Sequence, residues 1–215
     1  MKAITVVEGR MAPLDRADID TDQIMPKQFL KRIERTGFGE YVFHDWRADG
    51  DFVLNAPRYA DAKVLVTGPN FGSGSSREHA PWGLQQYGFD AIVAPSFADI
   101  FRTNCAKNAL LTVTLPATTC EQLVVMAQAD PEAVCRIDLR HQELVAWSGD
   151  GGPQCQPSPP DLQAEFEIDQ RDRRCLLEGL DDIALTLQDA AAIDAFEQRR
   201  PTHLPIATAA TSPGG

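Results

Sequence analysis

A chain of 215 residues, 43% apolar and 24% charged, has the makeup of a compact protein that buries about 70% of the surface its unfolded form would expose. Its 31 acidic residues outnumber 20 basic ones for a formal charge of −11, and no Lys/Arg block lays a stripe for phosphates, which excludes nucleic acid as a partner. No run of about 18 apolar residues is present, and the opening MKAITVVEGRMAPLDR lacks a long apolar core and a small-residue cleavage site, so no membrane or export is expected and the compartment is cytoplasmic.

In chain order, Asp18, Asp20 and Asp22 alternate in the first segment with chemistry in it. Oxygen ligands suit Ca²⁺ or Mg²⁺, but the glycine and distal glutamate of a calcium loop are missing, and aspartates that cap local amides are far commoner. No metal site is expected. Residues 62–68 (AKVLVTG) and 89–94 (FDAIVA) have the length and residue types of buried strands. Between them, Ala80, Leu84 and Tyr87 share the spacing of one helical face, which predicts a helix over 75–87 and a βαβ unit.

Phe97, Ile100, Phe101 and Cys105 form the apolar stripe of a second helix over 97–108, for which Ser96 would be the N-cap. A third strand follows at 110–115, then a helix over 121–128 closed by Asp130-Pro131. Residues 134–139 and 143–147 read as a strand pair and 164–168 as a half-buried strand. The alternation favours an α/β fold with a mixed sheet. The stretch 148–161 (SGDGGPQCQPSPPD) predicts a surface loop, and residues 1–200 read as one domain with a frayed tail over 201–215.

Cys105, Cys120, Cys135, Cys155 and Cys175 are an odd set without a C-x-x-C pair, which argues against a disulfide framework and a zinc site. They read as reduced thiols, and nothing in their spacing would hold an iron–sulfur cluster.

The most informative segment is Asn70-Phe71-Gly72-Ser73-Gly74-Ser75-Ser76-Arg77-Glu78-His79. Gly72 and Gly74 permit positive φ and close approach of the backbone to a ligand, and a helix start attracts anions. Arg77 adds a planar fork matched to a carboxylate. A structural reading competes, because Ser75-x-x-Glu78 is also a capping box. A nucleotide loop is disfavoured, since G-x-G-x-x-G fails at position 77 and no G-K-[ST] follows.

NFGSGSSREHAPWGL (70–84) resembles the signature of the small subunits of the aconitase superfamily. The stretches at 9–32, 35–47, 94–111 and 176–187 resemble, in the same order, its leucine-pathway branch, the isopropylmalate isomerase small subunits; roughly the first 200 residues are covered. The resemblance implies a swivelling β/β/α domain and a hydro-lyase that interconverts 2-isopropylmalate and 3-isopropylmalate through isopropylmaleate. It implies a dicarboxylate substrate, a heterodimer with a large subunit, and a [4Fe–4S] cluster held by that subunit, with no cofactor bound by this chain.

By the same resemblance Ser75 is the general base and Ser76 and Arg77 bind substrate, while Phe29, Leu30 and Lys31 sit where specificity is set. Gly72, Gly74, Glu78, His79, Asp20, Thr21 and Asp22 support them. Leucine-pathway members commonly carry Cys where Ser73 stands, a change that touches substrate approach more than activity. Two alternatives stay open: a related small subunit for citraconate/methylmalate or homoaconitate-type substrates, and a non-enzymatic anion-binding module.

Overall fold

The computed structural model describes residues 1–31, 35–149 and 159–200. The first unit, through Leu180, runs β1 (Val6–Leu14), α1 (Thr21–Ile24), α2 (His44–Arg47), β2 (Val64–Thr67), α3 (His79–Tyr87), β3 (Ala91–Ala94), α4 (Asp99–Lys107), β4 (Leu111–Thr114), α5 (Ala117–Ala129), β5 (Val134–Asp138), β6 (Glu143–Trp147), β7 (Leu162–Glu165) and α6 (Gln170–Glu178). The seven strands make one sheet in the order β4-β3-β2-β1-β5-β6-β7. Strands β1 to β4 pair in parallel, whereas β5, β6 and β7 extend the sheet antiparallel from the other edge of β1. The fold is thus α/β with a mixed sheet.

The nine residues of β1 serve both halves, Val6–Arg10 pairing with β5 and Met11–Leu14 with β2. Its burial changes accordingly, from alternating at Val6 and Val7 to continuous from Met11 onward. No period-2 or helical pattern survives such a switch, and Gly9 and Pro13 interrupt it further. That is why β1 does not stand out in the sequence although it is the central strand. Pro13 lies in the half that pairs only with β2, where its missing N–H breaks no bond to β5.

Strands β2 and β3 are buried along their whole length, as their unbroken apolar runs predict. Val64 and Val66 pack with Ala91, Val93, Leu123 and Ala127 on the face covered by α5, and Leu176 of α6 joins them. Leu65 and Ile92 pack on the opposite face with Ala80 and Leu84 of α3 and Phe101 and Cys105 of α4. Both parallel crossovers, β2-α3-β3 and β3-α4-β4, therefore place their helices on one side.

Helix boundaries depart from the sequence pattern. α3 begins at His79 rather than Ser75, with Glu78 as N-cap and no side-chain cap, so the Ser75–Glu78 capping box does not form. α4 begins at Asp99 after Ala98, and Ser96 does not cap it. The Ser96 hydroxyl instead accepts from the Asn70 N–H at 2.8 Å, a tertiary bond that outcompetes the local one. The capping box that does form joins Asp20 and Gln23 around α1. α5 starts at Ala117, four residues before the expected position, because Pro116 serves as its N-cap.

From Asp181 onward the chain forms a second unit holding α7 (Asp182–Gln188) and α8 (Ala190–Gln198). The Asp181 carboxylate caps α7 by accepting from the Ala184 N–H at 2.8 Å. The expected tail over 201–215 and most of the expected loop, residues 150–158, lie outside the described residues.

Candidate functional site at the carboxyl edge of the parallel strands

Three neighbouring parallel strands deliver three segments to the same edge of the sheet. Asp18–Ile24 follows β1, the glycine turn Asn70–Arg77 follows β2, and Pro95–Phe101 follows β3. The carboxyl edge of parallel strands, next to the strand from which the sheet extends both ways, is where open α/β sheets bind ligands. A cleft of about 270 Å³ opens there, lined by Thr21, Gly72, Gly74, Ser75, Ser76, Arg77, Asp99, Ile100, Phe101 and Asn104 among others. A larger groove of about 980 Å³, with Arg102, His141 and Glu165 on its walls, holds none of the glycine turn.

Backbone bonds lock the glycine turn to both neighbours. The N–H groups of Gly72 and Ser73 donate to the Ile19 carbonyl at 2.7 and 3.2 Å, and Thr21 N–H donates to the Ser73 carbonyl at 2.9 Å. On the other side Phe71 N–H donates to the Ser96 carbonyl and Ala98 N–H to the Phe71 carbonyl. Gly72 and Gly74 take φ of +77° and +90°, as expected. Gly72 is further required by space, because a Cβ there would lie 2.1 Å from Cγ of Phe101.

This frame leaves Ser75 and Ser76 exposed on the cleft wall. The buried Thr21 hydroxyl donates to the Ser75 carbonyl at 2.9 Å and so fixes the backbone of the serine from below. Because α3 starts only at His79, the amides of Ser75 and Ser76 belong to the turn and not to the first turn of the helix. An anion held by these serines is held by loop amides and hydroxyls.

Arg77 is buried, 9% exposed, and its fork is already engaged. Its two terminal nitrogens donate to the two oxygens of Asp22 at 2.5 and 2.8 Å, and one also reaches the Met25 carbonyl at 3.3 Å. Asp22 itself is partly open, with 43% of its side chain exposed. The pair clamps the segment after β1 to the glycine turn across 55 residues of sequence. The alternating aspartates thus have protein partners: Asp18 accepts from the Asn70 side chain, Asp20 caps α1, and Asp22 holds Arg77.

His79 stands edge-on to Phe38 and leans on Trp82, with ring centroids 5.2 and 4.9 Å apart. Burial lowers its pKa from the ordinary 6.5; Glu78 opposes this shift and Arg77 assists it. Burial thus favours the uncharged ring, a state suited to packing against Phe38 and Trp82. Glu78 is exposed at the N-cap position of α3.

Phe29, Leu30 and Lys31 do not line the cleft. Phe29 stacks on Tyr41 at 4.0 Å and meets the edge of His44, Leu30 packs half-buried against the core, and Lys31 is exposed. Phe101, Ile100 and Asn104 of α4 are cleft residues that pattern reasoning assigned to the helix alone. The signal was present, since the segment after β3 repeats the strand-to-helix step that follows β2.

The described cysteines do not fit an iron–sulfur cluster. Cys105, Cys120, Cys135 and Cys175 are free and buried, and no three metal-ligating side chains converge among the described residues. Burial drives the thiol pKa up at Cys105, to about 11 at Cys120 and to about 12 at Cys135. They are core thiols.

Residues 1–118 match the Aconitase C-terminal domain family, and residues 182–205 match the family of the C-terminal domain of the 3-isopropylmalate dehydratase small subunit. The chain is 51% identical over 207 residues to the 3-isopropylmalate dehydratase small subunit of Frankia alni, covering 96% of this chain and all of that protein. It is 48% identical to the protein of the same description from Rubrobacter xylanophilus, over 95% of this chain and 98% of the other. The Thermobifida fusca counterpart is likewise 48% identical, over 96% and 99%. Among solved structures, 3-isopropylmalate dehydratase from Methanocaldococcus jannaschii superposes with a TM-score of 0.60 at 22% identity, over 89% of this chain and 99% of that one, a likeness of fold.

Proposed function

The chain belongs to the family of 3-isopropylmalate dehydratase small subunits, within the aconitase superfamily, and from that premise we propose that it is the small-subunit half of a cytoplasmic hydro-lyase of leucine biosynthesis. The reaction interconverts 2-isopropylmalate and 3-isopropylmalate by removing and re-adding water through isopropylmaleate. The observation that carries this reading is the pair of exposed serines on a glycine turn, braced by Thr21 and by the Asp22–Arg77 clamp, at the carboxyl edge of the parallel strands. The large subunit of a heterodimer supplies the [4Fe–4S] cluster, for which this chain's described residues are unfit.

In this reading Ser75 takes the proton next to the substrate carboxylate. It does so as its alkoxide, which forms only where the oxyanion is stabilised; the loop amides around Gly74 supply that field, and the Arg77 charge adds to it once a substrate carboxylate has displaced Asp22. Ser76 donates to the substrate. Arg77 grips a substrate carboxylate only if that carboxylate displaces Asp22 from the fork, so in the free chain its work is to hold the turn. Phe29, Leu30 and Lys31 reach the substrate's variable group only in the assembled enzyme.

The test is reconstitution with the cognate large subunit. Isomerase activity should appear with the complex and be absent from this chain alone, and turnover of isopropylmalate by the isolated chain would refute the reading. Tight binding of a phosphorylated metabolite by the isolated chain would favour an anion-binding module instead.

A further inference from the structure

Three buried side-chain nitrogens have no hydrogen-bond partner among the described residues: Arg47 Nε, Arg136 Nε and Asn104 Nδ2. Of these, Asn104 alone stands on the wall of the cleft that holds Ser75 and Ser76. Both arginines keep other contacts, Arg47 donating to the Leu54 carbonyl and the Tyr87 hydroxyl and Arg136 lying 3.9 Å from Glu8. The Asn104 side-chain N–H has none among the described residues, although its backbone is well held, its carbonyl accepting from Asn108, which in turn accepts from Trp82. A buried donor left unpaired weakens the fold, so each one calls for a partner, whether a water, a turned amide or a ligand.

The charges in the cleft sharpen the point. Among the described residues Arg77 is the one cation on its wall, and Asp22 occupies both terminal nitrogens of its fork. Asp99 adds a negative charge at the mouth. A dicarboxylate entering this cleft therefore meets neutral donors first, the hydroxyls of Ser75 and Ser76 and the turn amides from Gly74 onward, while Asn104 Nδ2 is covered from solvent and reaches the cleft only when its amide turns. The terminal torsion of asparagine has two broad wells about half a turn apart, so the amide can present either of its polar atoms to the cleft at small cost.

We infer that Asn104 is a substrate-binding residue, whose side-chain N–H donates to a carboxylate oxygen of the substrate from the α4 side of the cleft while the serines act from the glycine turn. This rests on the function proposed above and adds a second wall to the site. After that turn of the amide the ligand supplies the partner that Asn104 Nδ2 lacks among the described residues.

The experiment uses the reconstituted two-subunit enzyme with isopropylmalate, comparing wild type with Asn104→Leu and Asn104→Asp. A lost hydrogen bond to a charged group should raise KM about 10–100-fold in the Leu variant. The Asp variant, nearly isosteric but facing a carboxylate with like charge, should raise it at least as much, with kcat changed less than KM in both. The melting temperature of the isolated Leu variant should be no lower than that of wild type, because an unsatisfied donor has been removed; a residue with a merely structural role would lower it. Unchanged KM in either variant, or a Leu variant whose Tm falls while its Asp counterpart binds normally, would overturn the inference. Inactive wild-type complex would instead refute the proposed function, which keeps the two failures apart.

Discussion

The two halves of the sheet share β1 yet are built for different work. In the parallel half, the carboxyl ends of β1, β2 and β3 open into segments that reach the cleft, and the polar groups there are either clamped, like Arg77, or left open, like Ser75. In the antiparallel half, β5, β6 and β7 form a meander that pairs with β1 through β5, and its inward residues Cys135, Ile137, Leu144 and Ala146 simply fill the core. A crossover connection must return through a helix, so each parallel strand ends in a free loop at one common edge; a meander alternates its loops between edges and gathers none. Chemistry collects where topology gathers loops.

The sharpest way to break this contrast is Ser75→Ala in the reconstituted enzyme, where kcat should fall roughly 10²–10⁴-fold while substrate binding and melting temperature hardly move. Because Ser75 does not cap α3, the loss of about 0.5–2 kcal/mol typical of a removed cap should be absent, a point thermal denaturation checks directly. Near-normal kcat with the subunits associated would remove Ser75 from the mechanism. The mirror-image change is Leu144→Ala in the antiparallel half, which should cost about 2–5 kcal/mol of stability yet leave kcat of the folded enzyme intact. A fall in kcat there would show that the halves are functionally coupled.

A third test lies on the clamp. Asp22→Asn strands the Arg77 charge, only 8% of whose side chain is exposed, and should cost up to about 3–5 kcal/mol. Arg77→Met leaves behind an Asp22 that is 43% exposed and can be solvated, so its cost should be about 1–3 kcal/mol. Denaturant titration of both variants checks the order, and the reverse order would mean that the arginine is not held as a buried charge.

Much of the parallel half was legible in the sequence because its signals are local. The runs at β2, β3 and β4 announced themselves by length and residue type, and the positive φ of Gly72 and Gly74 followed from their place between a strand and a helix. Capping was misread for the opposite reason. Ser75 and Ser96 have the local pattern of N-caps, but Ser96 spends its hydroxyl on Asn70, 26 residues away, and Ser75 is held by Thr21, 54 residues away. The Asp22–Arg77 clamp and the Asn104 amide depend on the same long-range meeting of loops, which no window of sequence contains. β1 was missed because one strand with two kinds of neighbour shows no single period.

The smallest expected effect concerns pH and touches His79 at the start of α3. Burial holds its pKa below the ordinary value of 6.5, so in the unfolded chain the ring takes up a proton at a higher pH than it does in the folded one. Between the folded value and 6.5 the unfolded state binds more protons, and stability therefore rises with pH through that window. The contribution is fully favourable above 6.5, is lost as pH falls below it, and levels off once the folded ring protonates as well. Thermal melts of wild type and His79→Gln across a series of pH values spanning that window should thus converge: the wild type should lose more melting temperature on acidification than the variant, which has no imidazole to charge. Equal slopes would mean that the ring titrates alike in both states and that the Phe38 and Trp82 contacts do not keep it neutral, whereas a steeper loss in the variant would reverse the sign and require a protonated, anion-paired His79 in the folded protein.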